Sequence, residues 1–136
     1  MSLGRKMSPE VAERYAADKE LAAGLQDRLT DAQEAGDRLR SAQAERRPFD
    51  EVRRLAADYE RALHTAILTA DAAERVAMGP KTYEHGDAAQ RRSAQIAARR
   101  ARAKPAVRPF TEEADRLRTL REAHKLTFRP RPSAVG

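Results

Sequence analysis

Residues 50–78 read DEVRRLAADYERALHTAILTADAAERVAM, and the spacing of their apolar side chains decides the fold. Val52, Leu55, Tyr59, Ala62, Ala66, Thr69, Ala73 and Val76 step by three and four, which places them on one stripe of an α-helix. Leu63, Ile67 and Leu68 thicken the middle of that stripe, making this the most apolar stretch of the chain. Met78-Gly79-Pro80 stops it, with a glycine past the end and a proline after it.

On the N-terminal side, Arg46-Arg47-Pro48-Phe49-Asp50 is a break. Pro48 disfavours helix at Arg47, and Asp50 suits a helix start. Upstream, Ser8 is a good N-cap, Pro9 fits the first helical position and Glu10 favours the helix dipole. From there to Arg46 the sequence predicts one helix of about 38 residues, roughly 57 Å long. Val11, Tyr15, Asp18, Ala22, Leu25, Leu29, Ala32, Gly36, Leu39 and Gln43 form a heptad-like seam along it, weakened by Asp18, Gly36 and Gln43. Gly36 costs about 1 kcal/mol against alanine unless a close helix contact uses its small size. The short connection at 47–49 lets the two helices fold back as an antiparallel hairpin. The packing candidates are Leu25, Leu29 and Leu39 on the first helix and Leu55, Tyr59, Leu63 and Ile67 on the second.

On the C-terminal side, 79–87 reads as a loop. Asp87 and Gln90 make a capping-box-like start for a helix from 88 to 103, ended by Lys104-Pro105. Residues 104–110, with Pro105 and Pro109, read as an extended linker. Thr111 then caps a short helix of about 112–125 whose stripe is Ala114, Leu117, Leu120 and His124. The expected architecture is all-α and extended: a lead over 1–8, a coiled-coil-like helical hairpin over 9–78, the loop, a basic segment over 88–104, a linker and short helix over 105–126, and a Pro/Arg tail over 127–136. In that tail Arg129-Pro130-Arg131-Pro132 suits polyproline II.

Composition fits helices with a thin core. Apolar residues number 55 of 136, but 28 of them are alanine, while Leu, Ile, Val and Phe together number 21. Fewer than about one fifth of the latter warns of disorder in a charged chain. Alanine offsets that warning, being the best helix former, yet it buries little area and stabilises weakly. The reading is a chain that gains order from a partner.

Charge is divided unevenly. Residues 1–78 hold 13 Lys and Arg against 15 Asp and Glu, and residues 79–136 hold 14 against 6. The densest part is Arg91 to Arg108, with Arg91, Arg92, Arg99, Arg100, Arg102, Lys104 and Arg108 and no acid between them. On a helix, Ala94, Ala97, Ala98 and Ala101 share a narrow face and the arginines fan over the other side. Ile96 falls inside the arginine arc. These seven cations are the candidate site for an acidic partner.

Enzyme chemistry finds little support. His64, His85 and His124 lie at no ligand spacing. A helix-surface pair with Glu60 accounts for His64, and a helix-face position accounts for His124. Gly79-Pro80-Lys81-Thr82 lacks the upstream glycine and the strand of a phosphate loop. No cofactor, metal or small-molecule substrate is expected. The absence of cysteine, of a signal-like apolar run and of a run near 18 apolar residues predicts an intracellular protein with no membrane span.

Two partner classes remain. DNA or RNA would be held by backbone contact with little sequence preference, since no zinc-finger spacing or aromatic RNA-binding motif is present. Pro105 also cuts the segment before it could run on as a zipper. The leading expectation is a non-catalytic structural or adaptor component of an assembly, docked on an acidic filament or particle surface. Arg46-Arg47-Pro48-Phe49 ahead of a long helix resembles small helical proteins that line ciliary microtubules. The resemblance covers four residues and a helix and implies no site residue.

Overall fold

The computed structural model describes residues 7–128, and the expectations for 1–6 and 129–136 lie outside them. The described residues form five α-helices and no strand: α1 Pro9–Ala22, α2 Leu25–Ala44, α3 Phe49–Met78, α4 Ala88–Arg102 and α5 Arg108–Thr127. One 3-10 turn, Pro80–Thr82, follows α3.

The long N-terminal helix is broken where the sequence predicts one unbroken rod. Gly24 donates its N–H to the Leu21 carbonyl, a bond three residues back, and α2 begins after it. Glycine is the poorest helix former after proline, so the ladder yields there. At the other end, α2 closes with a Schellman pair. Arg47 N–H reaches the Ala42 carbonyl at 2.9 Å and Arg46 N–H reaches that of Gln43 at 3.1 Å. The pair places Arg46 at φ 53°, a left-handed conformation usually given to glycine. Pro48 follows and the chain reverses into α3.

α3 is the central element, with α1 and α2 along one side and α5 along another. The α2–α3 turn joins them at one end, and an Asp18–Arg75 ion pair joins α1 to α3 at the other, so the two runs are antiparallel. Gly36 is buried, and a Cβ there would lie 3.1 Å from the Tyr59 ring, so the missing side chain admits the tyrosine.

α5 differs most from expectation. It has 20 residues and packs along α3 instead of hanging on a flexible joint. The stretch before it is a tight turn, not an extended linker: Val107 N–H bonds the Lys104 carbonyl, and the Val107 side chain is fully buried. Pro109 sits in the first turn of α5, where its missing N–H needs no partner. Thr111 is therefore inside the helix, and its hydroxyl donates to the Glu74 carboxylate on α3. Arg121 bonds Glu60 at 2.8 Å, so Glu60 faces α5 and is not the surface partner of His64. Leu120, expected on the buried stripe, is 37% exposed.

The core is Ala32 of α2, Leu63, Ala66, Ile67 and Ala70 of α3, and Ala114 and Leu117 of α5, with Leu25, Leu29, Tyr59 and Ala62 packed against it. Of the eighteen buried apolar residues among those described, eleven are alanine. Small side chains let helices approach closely, and the branched side chains of Leu63, Ile67 and Leu117 fill the centre.

Candidate functional site

α4 is built by its neighbours on both sides. Asp87 accepts the Gln90 N–H and Gln90 Oε1 accepts the Asp87 N–H, each at 2.9 Å, which completes a capping box. Gly86 precedes it at φ 73°, and a Cβ there would collide with the Gln90 side chain. Only glycine satisfies both the backbone and the box at this position. Ala94 and Ala101 are buried and Ala97 and Ala98 half-buried, on the side facing the Pro80–Thr82 turn and the end of α3. Gln95 reaches Glu84, and Arg91 donates to the Gly86 carbonyl at 2.8 Å.

The turn beneath α4 is anchored by Tyr83, which the periodicity left unassigned, and by Asp18, which it placed in the seam of the first helix. Tyr83 is 3% exposed and donates its hydroxyl to Asp18. The Arg75 guanidinium grips the same carboxylate through Nε and an Nη at 2.8 and 3.0 Å. The Arg75 bond holds the Asp18 carboxyl below its ordinary value, against a smaller opposing effect of burial. Burial, followed by the bond to Asp18, pushes the Tyr83 hydroxyl up. Arg14 lies over the Tyr83 ring and bonds the Glu84 carbonyl. An acid in an apolar seam is the signal for this cluster: Asp18 occupies a seam position because its partners come from α3 and from the loop.

Arg91, Arg92, Arg99, Arg100 and Arg102 on α4, Lys104 in the following turn and Arg108 at the head of α5 are all exposed. Among the described residues none of the seven has a carboxylate within ion-pair distance, whereas Arg28, Arg40, Arg47, Arg61, Arg75, Arg116, Arg118 and Arg121 each do. The last three arginines of α4 sit at the end where a helix carries partial negative charge. In the middle of the arc stands Ile96, 51% exposed.

The seven packing candidates are divided. Leu39, Leu63 and Ile67 are buried, while Leu25, Leu29, Leu55 and Tyr59 are half-buried. His124 is buried, with Nε2 2.8 Å from the Ala56 carbonyl and its ring 4.9 Å from those of Tyr59 and Phe128. It pins the end of α5 to α3 and forms one wall of an open cleft of about 1200 Å³, which Phe49, Val52, Leu126 and Phe128 also line.

Among the described residues no cluster of three or more His, Asp or Glu side chains is placed to hold a metal ion. No described helix is long and apolar enough to cross a membrane. Comparison of the chain with protein-family models, with curated proteins and with solved structures finds no match.

Proposed function

We propose that this chain is a non-catalytic helical component of a larger assembly, docked on an acidic partner surface through α4 and the turn after it. The observation that carries the reading is the run of seven exposed cations with no acid between them and, among the described residues, no ion pair to any of them, whereas Arg75, Arg118 and Arg121 are bridged between helices. An unpaired guanidinium keeps its full capacity for bidentate bonds to carboxylate or phosphate. The Pro80–Thr82 turn and the end of α3 seat the alanine side of α4, so the cations face outward. A second reading, a nucleic-acid accessory protein without sequence preference, draws on the same cations, since phosphate contacts require no base recognition.

The test is a salt series with the purified chain on two polyanions, mixed-sequence duplex DNA and microtubules. Binding to the filament that persists at about 150 mM salt, with DNA binding lost, supports the docking reading. A steep loss on DNA with nothing on the filament supports the nucleic-acid reading. Exchanging Arg99 and Arg100 for glutamate abolishes binding in either case. Binding that survives this exchange removes α4 as the site.

A further inference from the structure

The cationic face of α4 has an apolar centre. Ile96 stands half exposed, with Arg92 four residues before it and Arg99 and Arg100 three and four after, so the three guanidiniums ring it on the helix surface. Ala103, seven residues on, continues its line and is also exposed. Among the described residues no other helix packs over the exposed side of this strip, because α4 turns its alanine face to the Pro80–Thr82 turn and the end of α3. Arg99 and Arg102, like charges three residues apart, repel along the helix, and the exposed isoleucine adds an unfavourable contact with water. An apolar socket rimmed by carboxylates relieves both. A phosphate backbone neutralises the arginines but leaves Ile96 without an apolar contact.

We infer that α4 docks as a helix in a groove of an acidic protein, with Ile96 as the anchor seated in the apolar floor and Arg92, Arg99 and Arg100 on the acidic rim. This rests on the docking reading above and adds the chemistry of the partner. It is the helix-in-groove mode of recognition, with the apolar anchor narrowed to one residue. The arginines speed encounter and fix orientation, and the anchor discriminates among polyanions.

The experiment measures fluorescence anisotropy of three labelled probes with the full chain at about 150 mM salt. The probes are an acidic helical peptide with a leucine stripe at three- and four-residue spacing, polyglutamate of equal charge, and a mixed-sequence DNA duplex. The leucine-striped peptide is expected to bind about tenfold tighter than polyglutamate, the share that covering the exposed half of an isoleucine supplies. Ile96→Ala removes that difference and leaves DNA and polyglutamate unchanged. Alanine keeps the helix intact, which circular dichroism of the variant checks. Equal binding of both peptides, or indifference to Ile96→Ala, overturns the anchor while sparing the docking reading. Preference for DNA over both peptides assigns the face to nucleic acid and overturns the protein groove. If Arg99→Gln with Arg100→Gln leaves all three probes unchanged, the docking reading itself falls.

Discussion

Asp18 holds together three parts of the chain that are distant in sequence, through Arg75 on α3 and Tyr83 in the loop beneath α4. Asp18→Asn leaves the arginine without its counter-charge and is expected to cost about 2 kcal/mol, read by urea denaturation. The pH dependence follows from the direction of its shift. The folded carboxyl is below its ordinary value, so the unfolded state binds more protons in acid. The contribution is complete above about pH 5 and is lost as pH falls through the folded value. In Asp18→Asn that part of the acid slope disappears. Arg46 is the converse case, a side chain in a glycine conformation. Arg46→Gly is expected to stabilise by about 0.5 to 1 kcal/mol, because the left-handed backbone is strained for a residue with a Cβ. The sequence marks Asp18 only as an acid out of place and does not mark Arg46 at all. Asp18 reads as a flaw in a seam until α3 and Tyr83 are in place. Arg46 carries no mark of the Schellman turn that it and Arg47 close ahead of Pro48.

The elements are more legible than their ends. The α3 stripe, the Gly79-Pro80 stop and the Asp87–Gln90 box each rest on local chemistry that needs no tertiary contact, and their residues form a helix, a stop and a cap. The break at Gly24 is hidden although the glycine signals it, because no proline accompanies it and the seam runs on in register. The start of α5 is hidden because Pro109 and Thr111 satisfy both a linker-and-cap pattern and a first helical turn. Burial of Val107 and the bond from Thr111 to Glu74 decide between them, and the bond depends on α3. Energetics at this scale follow burial. Leu63 is wholly buried in the core that α2, α3 and α5 share, so Leu63→Ala is expected to cost about 3 kcal/mol. Leu126 is 68% exposed, and Leu126→Ala is expected to change stability by less than about 0.5 kcal/mol. Thermal unfolding of the two variants side by side measures the contrast.

For the whole molecule, composition suggests a thin core, whereas the described chain packs α2, α3 and α5 around a shared core. Composition does not reveal this, because alanine contributes by letting helices approach rather than by the area it buries. Cooperative unfolding is the expected consequence. Far-ultraviolet circular dichroism reports all five helices, and tyrosine fluorescence reports both ends, with Tyr15 and Tyr83 in contact at one and Tyr59 beside His124 at the other. The two signals are expected to share one midpoint in urea. Separate midpoints would mean that α1 and its loop melt apart from the rest. The candidate site is legible as charge, since seven cations with no acid among them can be counted. Their freedom from ion pairs is not, because it depends on where the acids of the other helices point.

The seat of α4 has a kinetic consequence. Only two of its residues, Ala94 and Ala101, are buried, so the helix can lift from its turn at a fraction of the global unfolding free energy. Its backbone amides should therefore exchange with deuterium by local opening, well before those of α3. A bound partner that requires α4 in place slows this exchange in proportion to its concentration over its dissociation constant. The rate at 88–102 would thus report occupancy directly, without any label on the partner.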